Sequence, residues 1–193
     1  MNQFPRAADD AAIRARAFAI VKERSFEFGA FTLASGENSD YYLDMKPTMF
    51  HPEGANLLAQ LILRRITELG ADYIGGLEMG AVPLIAAVTV LSHGTARPIP
   101  GLFVRKGVKD HGTRKLIEAG ERDLRGKRVV ILEDVTTTGG SAMKAVTALQ
   151  AEGANIILVL SIVDREEGAA EFFKKAGLPF EWLFSASEFR AAR

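Results

Sequence analysis

The fold is decided by the stretch VVILEDVTTTGGS, residues 129–141. Its first four residues are apolar and predict a buried strand. Two carboxylates, Glu133 and Asp134, follow at the carboxyl end of that strand, and a turn rich in hydroxyls and glycine, Thr136–Ser141, leads into a predicted helix over about 142–152. A turn that enters a helix presents free N–H groups and the positive end of the helix dipole, which together bind phosphate. The stretch therefore predicts a sugar phosphate or nucleotide at the carboxyl edge of a parallel sheet.

Two common phosphate-binding signatures do not describe this stretch. No lysine follows Gly139-Gly140, so the G-x-x-x-x-G-K-[ST] loop is absent, and the dinucleotide pattern G-x-G-x-x-G is absent as well. A simpler interpretation is a strand–turn–helix unit whose threonines and serine only cap the helix. Capping alone does not require the two acids beside the hydroxyls and paired glycines, and this favours a ligand site.

Composition narrows the class of protein. A chain of 193 residues with 48% hydrophobic and 25% charged residues is typical of one globular domain. Lys+Arg and Asp+Glu balance at 24 each, which favours neither nucleic acid nor an acidic membrane surface as a partner. With no cysteine, disulfides and thiolate metal sites are excluded. No apolar run reaches membrane-spanning length and the N-terminus lacks an apolar signal core, so we expect a cytoplasmic protein.

Strands alternate with helices along the chain. Continuous apolar strands separated by amphipathic helices indicate an α/β fold with a mostly parallel central sheet flanked by helices. The predicted helices begin at Asp9 or Asp10, run over 52–69 to Gly70, and cover 83–91, 142–152 and 169–175. The predicted strands cover 31–33, 41–44, 73–76, 101–104, 129–134, 156–163 and 181–184.

A second strong feature is the basic segment RKGVKDHG, residues 105–112. A helix would spread its cations over several faces, whereas a loop can bring them together on one polyanion such as a diphosphate. The two glycines would let such a loop close over a substrate and exclude water. A solvated basic loop with no special role is the alternative. The candidate contacts are Arg105, Lys106, Lys109 and His111.

Weaker candidates lie elsewhere. The segment 77–83 follows a short strand and either receives a diphosphate through its backbone N–H groups or is a plain connection. Tyr42 is suited to stacking on a planar base, and Lys46 to a nearby anionic group. Arg165 ends an apolar strand, so its planar fork either binds a carboxylate in the ligand crevice or pairs with Glu166 or Glu167. No cluster has the spacing of a metal site made by protein alone, so we expect any metal to be Mg²⁺ carried by a diphosphate.

Four segments in the same order together resemble the orotate phosphoribosyltransferases. The acid–acid–apolar–hydroxyl–glycine signature by itself is similar to that of all type I phosphoribosyltransferases, which bind 5-phosphoribosyl 1-diphosphate (PRPP). The basic loop and the D-R-x-x-G ending narrow the resemblance to the orotate enzymes. The segments are FTLASGENSDYYLD (31–44), RKGVKDHG (105–112), EDVTTTGGS (133–141) and VDREEG (163–168).

This resemblance implies a type I phosphoribosyltransferase fold, a single domain over 1–193 whose first 50 or so residues contribute a small N-terminal hood. It implies transfer of the phosphoribosyl group from PRPP to orotate, with Mg²⁺, giving orotidine 5′-monophosphate and diphosphate in pyrimidine (UMP) biosynthesis. It also implies a homodimer in which loop 105–120 closes over the neighbouring active site.

The resemblance also assigns roles to residues. The implied catalytic groups are Lys109 as the principal loop lysine, Lys106, His111 and Asp134. The implied orotate contacts are Thr137, Arg165 and Tyr42. The implied PRPP contacts are Arg105, Lys106, Lys109, His111, Glu133, Asp134, Val135, Thr136, Thr137, Thr138, Gly139, Gly140 and Ser141.

Three positions depart from the family pattern. Ala34 and Gly80 stand where some members carry lysine, so two cations are missing from the site, and Lys46 is a candidate to replace one of them. Glu133 stands where aspartate is common; it keeps the charge with one more methylene. Two other functions stay open: transfer to another base, which would not need the carboxylate reader Arg165, and a non-catalytic PRPP-sensing regulator, which would not need the basic loop.

Overall fold

The computed structural model describes residues 8–32, 36, 38–107, 116–119 and 123–193. Strands and helices alternate through most of this length, as predicted. The helices are α1 (Ala8–Ser25), α2 (Lys46–Met49), α3 (Pro52–Glu68), α4 (Val82–Ser92), α5 (Gly140–Ala151), α6 (Ala169–Lys175) and α7 (Ala186–Ala191). The strands are β1 (Phe26–Thr32), β2 (Asn38–Leu43), β3 (Tyr73–Gly75), β4 (Leu102–Val104), β5 (Ile117–Ala119), β6 (Arg128–Thr136), β7 (Asn155–Asp164) and β8 (Phe180–Ser185).

The central sheet is parallel and has the order β3-β6-β7-β8. β4 lies beside β3 through the isolated parallel bridges Ile74–Gly101 and Leu77–Val104, and it pairs antiparallel with β5. All these parallel strands end at the same edge, which brings the segments after β3, β4, β6 and β7 together. The prediction of an α/β fold with a parallel, helix-flanked sheet is confirmed.

The two faces of the sheet carry separate apolar cores. Side chains alternate along β6, so Val130 and Leu132 pack with α1, α3 and α4, whereas Val129 and Ile131 pack with α5 and α6. The same alternation continues into the polar end of the strand. It sends Glu133 toward the α5 side and Asp134 toward the α4 side.

The N-terminal part forms an antiparallel hairpin, β1–β2, above helices α1 and α2. Neighbouring side chains on β2 point opposite ways: Tyr41 is buried and stacks on Phe26 at 4.7 Å, whereas Tyr42 is exposed and lies 5.6 Å from Phe31. The predicted strands 31–33 and 41–44 were too short. β1 begins at Phe26, because its aromatic residues pack on the core even though polar residues interrupt their pattern.

Several local predictions differ from the structure. Asp10 does not cap α1 but lies inside it, buried, with its carboxylate bonded to Arg64. The strand predicted over 129–134 extends through Thr136, so the first hydroxyl of the predicted turn belongs to the strand. Helices α2 and α7 and strand β5 were not predicted. Each is short, and β5 (Ile-Glu-Ala) has too few residues to show an alternating pattern.

Candidate active site

The turn between β6 and α5 forms a small polar pocket, as predicted. Gly139 precedes the helix with φ +90°, and an added Cβ would collide with the rings of Phe172 and Phe173, so only glycine fits. Within the described residues no side chain caps α5, and this leaves its first-turn N–H groups available to a ligand. The pocket is lined by Glu133, Val135, Thr136, Thr137, Thr138, Gly139, Gly140, Ser141 and Ala142.

The hydroxyls of this turn divide into two kinds. Thr137, Thr138 and Ser141 are exposed at the pocket. Thr136 is buried, and its hydroxyl donates to Ser161 Oγ at 2.8 Å. Thr136 therefore holds β6 against β7 with its side chain and offers a ligand only its backbone.

The acid pair is split between two surroundings. Glu133 lines the phosphate pocket, is buried, and has no hydrogen-bond partner for Oε2 among the described residues. Burial, and next the charge of Asp134, raise the pKa of Glu133 to about 8, while the Lys106 ammonium lowers it. The Glu133 carboxyl therefore holds its proton to a higher pH than a solvent-exposed glutamate.

Asp134 faces the loop that follows β3. An added Cβ at Gly80 would collide with the Asp134 carboxylate, so any side chain at position 80 would displace this acid. Burial raises the pKa of Asp134, and backbone hydrogen bonds and then the charge of Lys46 oppose that rise. Lys46 itself is bound to Asp44, 2.8 Å from Nζ to Oδ1. A cation thus lies near Asp134 although position 80 carries none.

The start of the basic loop lies beside this edge. Arg105 pairs with Glu118 of β5 at 3.6 Å, and its Nε is buried without a hydrogen-bond partner among the described residues. The Lys106 N–H donates to Glu78 Oε1 at 2.7 Å. Lys109, His111 and most of loop 105–120 lie outside the described residues, as does Ala34.

Arg165 lies at the end of β7, next to the phosphate turn. The backbone N–H of Arg165 donates to the Thr136 carbonyl at 2.9 Å. The subsites predicted for the phosphate and for the base are therefore adjacent. Arg165 Nε donates to Glu167 Oε1 at 2.8 Å, and the Arg165 guanidinium lies 4.8 Å from the centre of the Tyr41 ring. The ion pair with Glu167, one of the two sequence-based interpretations, is therefore present.

The structure thus brings together most predicted site residues at one edge of the sheet. Sequence reasoning missed Tyr41 and Glu78, and it left open whether Glu166 or Glu167 would pair with Arg165. The alternation of β2 was the signal for Tyr41, because consecutive strand residues face opposite sides and only one of Tyr41 and Tyr42 can face the core. Nothing local to Glu78 indicates its contact with Lys106, 28 residues away.

The phosphoribosyl transferase domain family matches residues 50–176. An orotate phosphoribosyltransferase of Bradyrhizobium sp. is 57% identical over 92% of this chain and 97% of its own length. The chain belongs to the orotate phosphoribosyltransferase family. The orotate phosphoribosyltransferase of Sorangium cellulosum is 42% identical over 94% of this chain and 95% of its own. The crystal structure of the Mycobacterium tuberculosis enzyme in complex with PRPP has a TM-score of 0.76 and 32% identity, covering 92% of this chain and 99% of that one.

The same relatives bear out the family resemblance seen in the four sequence segments.

Among the described residues, no helix combines the length and apolarity that crossing a bilayer requires.

Proposed function

We propose that this chain transfers the 5-phosphoribosyl group of PRPP to orotate and releases diphosphate, in the biosynthesis of UMP. The main structural support for the proposal is a set of buried polar atoms that lack a hydrogen-bond partner. Of the described residues, only three have a buried side-chain nitrogen or oxygen without a hydrogen-bond partner, namely Thr89, Arg105 and Glu133. Buried polar atoms are normally paired, and two of these three belong to residues that the family resemblance assigns to PRPP.

On the phosphate side, the backbone from Val135 to Ser141 binds the 5′-phosphate of PRPP, with Thr137, Thr138 and Ser141 adding hydroxyls. Glu133 and Asp134 bind the ribose hydroxyls from opposite faces of β6. Support comes from the uncapped helix and from the unpaired Glu133 Oε2. Arg105, Lys106, Lys109 and His111 bind the diphosphate.

On the base side, Arg165 binds the orotate carboxylate, with Thr137 and Tyr42 against the pyrimidine ring. Arg165 is nine-tenths buried and donates from Nε to Glu167 Oε1. A second carboxylate, that of orotate, would pair with the same guanidinium, and this favours a base that carries a carboxylate.

The reaction needs no protein nucleophile. As diphosphate leaves C1 of the ribose, positive charge develops on the sugar and negative charge on the leaving group. Preorganised cations stabilise the negative charge on the leaving diphosphate. The cations that the family resemblance assigns to this role are Lys109, Lys106 and His111. Asp134 and Glu133 face the sugar, and the orotate ring nitrogen then attacks C1.

We propose that a magnesium ion enters the site with PRPP. The carboxylates that would face it are Glu133, whose Oε2 is buried beside the pocket without a partner among the described residues, and Asp134. Mg²⁺ bound to PRPP would neutralise charge on the diphosphate, next to Glu133 and Asp134. We propose, as for the family, a cytoplasmic homodimer in which loop 105–120 closes over the neighbouring active site.

Turnover with PRPP, Mg²⁺ and either orotate, uracil, hypoxanthine or adenine tests the proposal, with base loss and diphosphate release both followed. Of the four bases, we expect only orotate to be turned over. Turnover with another base would leave the PRPP site intact and overturn the role of Arg165. PRPP binding without turnover of any base would indicate a PRPP-sensing regulator.

A further inference from the structure

The segments that follow β3 and β4 run side by side beyond the ends of these strands. Val104 N–H donates to the Gly76 carbonyl at 2.8 Å, and Glu78 N–H donates to the Val104 carbonyl, also at 2.8 Å. These are successive rungs of a parallel ladder, and the regular pattern would continue with the Lys106 N–H donating to the Glu78 carbonyl.

The next rung is made by a side chain instead. The Lys106 N–H donates to Glu78 Oε1 at 2.7 Å. The chain from Glu78 onward forms a turn that includes Gly80, and the backbone pairing stops there. The Glu78 carboxylate supplies the acceptor instead, in a solvent-exposed hydrogen bond that ties this loop to the first residues of the basic loop.

The same short segment is held from its other side as well. Arg105 N–H donates to the Leu116 carbonyl at 2.8 Å, and the Arg105 side chain pairs with Glu118. Two neighbouring residues are thus fixed by different partners: Arg105 by Leu116 and Glu118, and Lys106 by Glu78. The charge of Lys106 also lowers the pKa of Glu133, the acid that lines the pocket.

We propose that Glu78 is a positioning residue for catalysis, acting through the backbone of Lys106 to aim the Lys106 ammonium at the diphosphate of PRPP. The inference rests on the proposed function. A carboxylate beside a diphosphate site would otherwise oppose binding of the anion. Its hydrogen bond from a backbone N–H explains why an acid is tolerated there, because the acid acts by orienting a cation.

A double-mutant cycle tests this role through PRPP affinity, measured by calorimetry, and through kcat with orotate. Glu78→Ala is expected to weaken PRPP binding and lower kcat by about tenfold, as for loss of one charge-assisted hydrogen bond. In a Lys106→Ala background the same change is expected to cost less than about twofold, because the group being positioned is gone. Glu78→Gln keeps an acceptor oxygen at the same reach and is expected to stay within about threefold of wild type.

Three results would overturn the proposal: equal effects of Glu78→Ala in both backgrounds, a Glu78→Gln variant as impaired as Glu78→Ala, or tighter PRPP binding by Glu78→Ala. Should Glu78→Ala not fold, Glu78→Asp, which is one methylene shorter, replaces it in the cycle with the same expectations. The effect of Glu78 on PRPP affinity can be measured without any base. If the wild type failed to turn over orotate, that result would count against the proposed function, and the PRPP affinities would still test the role of Glu78.

Discussion

The proposed phosphate side and the proposed base side of the site are built in different ways. The residues that line the pocket between β6 and α5 all come from one segment, 133–142, and the phosphate contacts proposed there are mostly backbone N–H groups. On the proposed base side, Arg165 contacts its neighbour Glu167 and also Tyr41, which lies far away along the chain. A contiguous backbone site is rigid and readable from sequence, whereas a site of converging side chains depends on how distant elements pack.

The largest expected effect concerns the diphosphate contacts proposed for the basic loop. Lys109→Ala should remove about 2–4 kcal/mol of transition-state stabilisation, roughly a 30- to 1000-fold loss of kcat/KM, because one preorganised cation on the leaving group is lost. Steady-state kinetics with PRPP and orotate measure it. Lys174→Ala, an exposed lysine near the end of α6, should leave kcat/KM unchanged. Near-wild-type turnover by Lys109→Ala would reject the role of Lys109.

On the phosphate side, Gly139→Ala should weaken PRPP binding by about 10- to 100-fold, since it combines a strained positive φ with a collision at Phe173. The Michaelis constant for orotate should change little. Gly168→Ala is the matched control, because Gly168 also precedes a helix at positive φ but has open space around its Cβ position. Equal losses of PRPP affinity in both variants would mean that general backbone strain, and not the pocket, is being measured.

On the base side, Arg165→Lys should raise the Michaelis constant for orotate roughly tenfold and leave that for PRPP unchanged, because lysine lacks the planar fork that matches a carboxylate. Arg190→Lys is the control: its guanidinium also lies over Tyr41, at 4.9 Å, but it pairs with Asp40. A change in the PRPP constant with Arg165→Lys would show that the two sides are not separable.

The last expected effect concerns stability without ligand and does not involve turnover. The pKa of Glu133 is raised from 4.5 to about 8, so between these pH values the folded protein holds a proton that the unfolded chain has lost. This contribution to the free energy of unfolding is complete below pH 4.5 and is lost as pH rises through about 8. Glu133→Gln removes the dependence. Its melting temperature relative to wild type should rise by roughly 8–16 °C between pH 5 and pH 8.5, at about 1.4 kcal/mol for each pH unit and about 2–4 °C for each kcal/mol.

Thermal melts of the two proteins over this pH range provide the measurement. Glu181→Gln serves as a control, because Glu181 is equally buried but accepts two hydrogen bonds from Arg65, at 2.6 and 2.8 Å. That change should lower the melting temperature. Parallel curves for wild type and Glu133→Gln would mean that the carboxyl of Glu133 titrates normally in the folded protein.

Prediction from sequence succeeded where the determinants are local. The apolar runs of β6 and β7 and the amphipathic pattern of α3 identified the sheet and its helices. It fell short where a residue's state depends on a distant partner. Thr136 looks like part of a hydroxyl turn, yet it lies in a strand because its backbone pairs with Asp164 of β7, and its hydroxyl donates to Ser161 of the same strand. Asp10 has the character of a helix cap, yet it lies inside α1 and binds Arg64 of α3.

The sequence alone determined the parallel α/β fold, the turn between β6 and α5 and the family, because each is written in consecutive residues with a characteristic period or order. Only the tertiary structure decided that Arg165 packs on Tyr41, that Thr136 bonds to Ser161, and that Glu78 reaches Lys106. These are contacts between segments distant along the chain. Their geometry depends on how the strands and loops pack, which no local pattern of residue types specifies.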